Sequence, residues 1–156
     1  LTHRLVEYEI PVIYEHPLTT PLRRWEPYNS KYTVPRNLYE AGVKYCISYS
    51  SSTFQAPHQR SLPYAAAMAV SFGLPLKEGL RAITLSAAEI LGVGDRVGSL
   101  EVGKDATLFI TNGDPLQMDS QVELAFIQGR VVDLNDRHKT LSDKYREKYR
   151  QLNIIK

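Results

Sequence analysis

The sequence predicts an α/β fold, and three observations carry that reading. Short apolar runs alternate with helical patterns from Ile10 to Gly92. Beyond Gly92 the pattern changes to short strands divided by turn residues. One further helical stretch closes the chain, with Leu141, Tyr145, Tyr149 and Leu152 on a single stripe. Strands that alternate with helices imply parallel pairing through right-handed crossovers. Two such units leave strand edges open, and open edges are a liability. The pattern therefore reads as part of something larger, or as one member of an oligomer.

Each element has its own signal. Leu1, Leu5 and Val6 stand at helical spacing. Residues 10–14 form a short buried strand, and residues 15–33, with three aromatics and three prolines, suit a long ordered loop. A helix begins at Pro35 and stops at Gly42. Residues 43–49 are the next strand and 50–59 a second loop. Ser61 or Leu62 caps a small-residue helix through Val70 that should be buried, ended by Gly73. Residues 77–83 form a further helix. Ser86-Ala-Ala-Glu89 has the spacing of a capping box. Strands are expected at 97–102, 106–110, 122–127 and 131–134, with a hairpin at Gln128-Gly129-Arg130 and a turn at Asn112 to Pro115.

Composition sets limits on function. The chain has 156 residues, 43% of them hydrophobic and 23% charged, as in soluble globular domains. No apolar run reaches the length of a membrane span, and no secretory leader opens the chain. The lone Cys46 excludes an intrachain disulfide and a cysteine zinc site. It fits a reducing compartment, so a cytoplasmic location is favoured. A net charge of +2 is too small to suggest nucleic acid. The segment from Arg137 onward is strongly basic, which reads first as a solvated helix face and second as contact with an anionic partner.

The motifs Gly79-Leu-Arg-Ala-Ile-Thr84, Ala87-Ala-Glu-Ile-Leu-Gly92, Gly98-Ser-Leu-Glu-Val-Gly-Lys-Asp-Ala106, Gly113-Asp-Pro115 and Ile127-Gln-Gly-Arg130 together resemble the C-terminal signature of the amidohydrolase superfamily, in its imidazolonepropionase-like branch. The run from Gly98 to Ala106 is the most specific part. The resemblance implies a TIM-like barrel with one or two divalent metals, zinc or another, at the strand ends, and a small β-sandwich. It implies that this chain begins in the sixth helix. Residues 1–92 would then hold the last two barrel strands and their helices, 93–136 the C-terminal sandwich strands, and 137–156 a basic terminal helix. The ligand histidines and carboxylates of strands one to six lie outside such a segment, so no cofactor is expected in the chain itself. The family carboxylate after strand eight falls on Ser50, in the match Ala41-Gly-Val-Lys-Tyr-Cys-Ile-Ser-Tyr-Ser50. An unperturbed serine hydroxyl cannot move a proton near neutral pH as that aspartate does.

Candidate site residues follow. Tyr14 and His16 end the first strand, where barrel enzymes keep their sites. His16 would touch substrate or metal, or be a locally bonded loop histidine, the plainer and preferred reading. Ser50, Ser51 and Ser52 follow the second strand with His58 close behind, but no nucleophile elbow surrounds them and a serine-rich loop is preferred. Arg60 would hold a substrate carboxylate, or else cap or pair with the loop of Trp25 and Glu26. Arg23, Arg24 and Trp25 would form a cationic and aromatic lip; packing of the loop on the rim is preferred. His3 and His138, the latter placed at a hairpin exit, are expected at the surface. The resulting expectation is the C-terminal segment of a hydrolase of amide or cyclic amide bonds, inactive alone. Its partners would be the rest of the barrel or another copy of the chain, a homo-oligomer being favoured, and a small-molecule substrate. A non-catalytic binding or assembly module is the alternative.

Overall fold

The computed structural model describes residues 2–15, 17–49, 52–54 and 56–155. Helix α1 (Thr2–Glu7) leads into strand β1 (Val12–Glu15), helix α2 (Val34–Glu40) and strand β2 (Tyr45–Ser48). A 3₁₀ turn (Ala56–Ser61) precedes helices α3 (Leu62–Ser71), α4 (Leu76–Ile83) and α5 (Leu85–Ile90). Strands β3 (Leu108–Thr111), β4 (Val122–Ile127) and β5 (Arg130–Val131) follow, and helix α6 (Arg137–Gln151) ends the described chain.

β1 and β2 pair in parallel, with Val12 beside Tyr45 and Glu15 beside Ser48. β3, β4 and β5 form an antiparallel sheet in that order. The parallel pair is the centre of the core. Tyr45 and Ile47 pack on Ala65, Ala66 and Ala69 of α3 and Ala82 of α4, with Leu38, Leu74 and Leu116 closing the cluster. Small residues on α3 let a strand and a second helix approach closely, which is why Ala66 is fully buried. Pro35 opens α2, where its missing N–H has no intrahelical partner to lose.

Four expectations are corrected here. Residues 97–102 form turns and not a strand. Gly98 has φ +97° and Gly103 φ +95°, both closed to extended backbone. The segment is tied down by the Asp105 N–H donating to the Arg96 carbonyl and by an Arg96–Asp105 ion pair at 2.8 Å. The Ser86–Glu89 capping box does not form. Ser86 lies buried inside α5, whose N-cap position is Thr84. Glu89 instead accepts from Arg81 on α4 at 2.9 Å and pairs with Lys44 at 3.4 Å. β5 is only two residues long, and the chain beyond it to Asn135 has no regular structure. His138 lies in the first turn of α6 rather than in a hairpin exit, and it is exposed as expected.

Candidate functional site

In α/β folds, ligands bind at the carboxyl ends of parallel strands. Here that end is formed by Glu15 and Ser48, by the loop of residues 17–33 that follows β1, and by the segment that follows β2. Strand alternation splits these residues between two faces. Val12, Tyr14, Tyr45 and Ile47 share one face, and the first, third and fourth of them belong to the helix-covered core. Ile13, Glu15, Cys46 and Ser48 share the other. Glu15 and Ser48 therefore stand side by side at the strand ends, away from the helices, and sequence reasoning passed over both. The signal was available in the alternation, once Tyr14 was placed at the strand end.

Tyr14 uses its hydroxyl structurally: it donates to the Lys31 carbonyl at 2.8 Å and pins the long loop to the strand. Burial pushes its phenol pKa up, which keeps the donor protonated. The loop is held further by Thr33, whose hydroxyl donates to the carbonyls of Asn29 and Ser30. Tyr28 and Tyr32 pack against Phe72 at the end of α3, with ring centroids 6.5 and 5.1 Å away.

The segment after β2 is clasped to the strand end by its 3₁₀ turn. The Gln59 side-chain amide donates to the Tyr49 carbonyl at 3.2 Å, and the His58 ring stacks obliquely on Tyr49 at 6.4 Å. The ring contact thus brings His58 to the β2 end. Arg60, two residues on, lines a different space. That cavity, of about 450 Å³, lies between the helices and the antiparallel sheet and includes Tyr64, Leu80, Phe109 and Val122. The structure gives Arg60 no ion pair with Glu26 among the described residues. His16, Ser50 and Ser51 lie outside the described residues.

Among the described residues no group of three or more His, Cys, Asp or Glu converges closely enough to hold a cation. Glu15 is the carboxylate at the strand ends, and its register neighbour Ser48 brings a hydroxyl that donates to the Tyr49 carbonyl. These residues do not make up the donor set of a divalent metal.

Residues 29–136 match the family model described as the amidohydrolase family. The chain belongs to that family. It is 36% identical over 84 residues to an imidazolonepropionase of Syntrophobacter fumaroxidans, a match covering 53% of this chain and 20% of that protein. It is also 36% identical over 66 residues to the imidazolonepropionase of Sphingopyxis alaskensis, across 42% of this chain and 16% of that one. Among solved structures, an amidohydrolase from Thermotoga maritima superposes with TM-score 0.69 and 32% identity, over 84% of this chain and 33% of that one. This amidohydrolase-family chain therefore spans about a fifth or less of the curated relatives named here and about a third of the solved neighbour. No helix among its described residues is long and apolar enough to cross a membrane.

Proposed function

We propose that this chain contributes the substrate-facing ends of two barrel strands to a hydrolase of amide or cyclic amide C–N bonds. One observation carries the reading: a parallel strand pair, packed under helices on one face and still leaving β1 exposed on the other, where only Cys46 is buried, in a chain of the amidohydrolase family. Ile13 on the uncovered face is 49% exposed, and both strands offer an open edge in the two-stranded sheet. A closed barrel would bury both features against further strands. The antiparallel sheet would in the same way belong to a small sandwich, and the boundaries at residues 92 and 136 would separate barrel end, sandwich strands and terminal helix.

In the family pattern a divalent metal activates the attacking water, and no residue of this chain is assigned to it. The chain's own residues would shape and line the pocket. Tyr14 holds the long loop in place. His16 and His58 are the candidate substrate contacts at this end, Arg60 lining the separate cavity instead, and Ser50 stands where the family places its proton-transferring aspartate. The isolated chain would not turn over. The test is kcat/KM on a panel of amides, cyclic amides, lactones and esters, using protein that includes the upstream barrel. Hydrolysis of the amide members is expected. Uniform silence across the panel in metal-loaded, folded protein would overturn the reading and favour a non-catalytic module.

A further inference from the structure

We propose that the tip of the loop between β1 and α2 is a binding lip for ligands that pair a carboxylate with an apolar body. Arg23 and Arg24 would take the carboxylate, and Trp25 would cover the apolar part. Trp25 is 78% exposed, and Leu22 and Tyr28 beside it are also largely in water. A Trp buries a large apolar area when it is covered, so one left in water offers that area to a ligand. Sequence alone favoured packing of this loop on the rim. The loop is indeed packed, but through Tyr14 and Tyr32, and its Trp is left outside.

The tip also has a defined conformation. The Glu26 N–H donates to the Arg23 carbonyl at 3.1 Å, closing a turn with Arg24 and Trp25 at its two central positions. The Arg23 guanidinium sits 5.7 Å from the Trp25 ring centroid, within cation–π range. Neither Arg23 nor Arg24 is engaged by a carboxylate among the described residues. A guanidinium presents a planar fork that matches a carboxylate in two parallel hydrogen bonds. The location adds a third point. The loop leaves the carboxyl end of a parallel strand, the side on which α/β folds place their ligands.

The significance for catalysis rests on the hydrolase reading, since an amide with a carboxylate near its scissile bond would be oriented by this lip. The binding itself does not depend on that reading. Trp25 is the only tryptophan in the 156 residues, so its fluorescence reports the site directly. The experiment titrates the chain with N-acetyl-L-phenylalanine and, in parallel, with its uncharged carboxamide. The carboxylate should give a saturable change in Trp25 emission in the millimolar range, weakened at least fivefold by R23Q together with R24Q and weakened by added salt. The carboxamide should bind at least fivefold more weakly. If circular dichroism shows the double variant misfolded, R23K with R24K replaces it and should weaken binding less than charge removal implies but measurably, because the fork is lost. An equal response to both compounds, no response to either, or indifference to the arginines would overturn the proposal. Carboxylate binding here alongside a silent full-length protein would instead sink the hydrolase reading and leave the lip standing.

Discussion

Tyr45 carries its hydroxyl into the core without a hydrogen-bond partner among the described residues. Burial raises its pKa far above the usual tyrosine range, and nearby Glu78 and Tyr39 add to the rise. A buried unpaired hydroxyl is a cost that removal of the group relieves. Y45F is therefore expected to leave the fold intact and to stabilise it by about 1 kcal/mol, read from urea unfolding. The folded state holds this phenol neutral while the unfolded chain ionises it, so stability is present below the ordinary tyrosine value and is lost as pH rises above about 10. Y45F should flatten that alkaline loss, and an unchanged slope would contradict the assignment. Two glycines separate backbone from packing effects. A Cβ at Gly98 would meet the Ala88 Cβ and the Leu85 Cα at 2.8 Å, whereas one at Gly103 would meet nothing within 4 Å. Both have positive φ. G103A should cost about 1 kcal/mol and G98A about 3 kcal/mol, since the latter adds overpacking against α5; equal losses in thermal melts would refute the contrast. Ser50 gives the functional counterpart. On the proposed reading, in protein that also carries further barrel strands, S50D is expected to raise or redirect kcat/KM, because a placed acid/base contributes about 10²–10⁴ in rate. A large loss with the fold intact, combined with abolition by H58A, would move the proton-transfer role to His58.

Helix α6 depends on its N-cap residue more than on tertiary packing. None of its residues is buried. The Asp136 carboxylate accepts from the backbone N–H groups of His138 and Lys139 at 2.7 and 2.9 Å, satisfying two donors that the helix leaves unpaired. Those hydrogen bonds, chiefly the one from Lys139, hold its pKa below the ordinary aspartate range. A carboxylate depressed in the folded state contributes stability above its unfolded pKa and loses it as pH falls. Helicity assigned to this segment should therefore be constant near neutrality and decline below about pH 4. D136A should lower the far-UV signal of the segment at pH 7 and remove its acid dependence. Retention of both in the variant would show that the cap does not matter. The Tyr145–Tyr149 contact, at 6.4 Å between ring centroids, is expected to survive the substitution only in the helical fraction.

At the scale of the molecule, apolar surface is left open on both sheets. Phe109 is 52% exposed and Val131 more so, while Ile13 faces outward from the parallel pair. Such surfaces seek cover from further strands or from another copy. The isolated chain should show an apparent mass that rises with concentration in sedimentation, and, on the proposed reading, its thermal midpoint should rise in protein that also carries further barrel strands. A concentration-independent monomer with no gain from the larger protein would argue that these faces are stable as they stand.

The sequence by itself determined the order and type of nearly every element. It did so where local chemistry decides: Pro35 starting α2, Gly42 ending it, and Gln128-Gly129, at φ 50° and 75°, forming the β4–β5 hairpin. It also carried the family, because the Gly98 to Ala106 string is a local signature. The strand expected at 97–102 failed because Val97, Leu100 and Val102 imitate a strand, while the close approach of Gly98 to α5 fixes a turn and involves residues distant in sequence. The same limit applied to the site. Tyr14 was legible as a strand-end residue, but only the β1–β2 register assigns it to the helix-covered face and leaves Glu15 beside Ser48 on the other. The cavity lined by Arg60 needs Phe109 and Val122, and these approach only through folding. Turns and caps are decided by a few neighbouring residues. Faces, cavities and the exposure of Trp25 are decided by long-range packing, which no local pattern encodes.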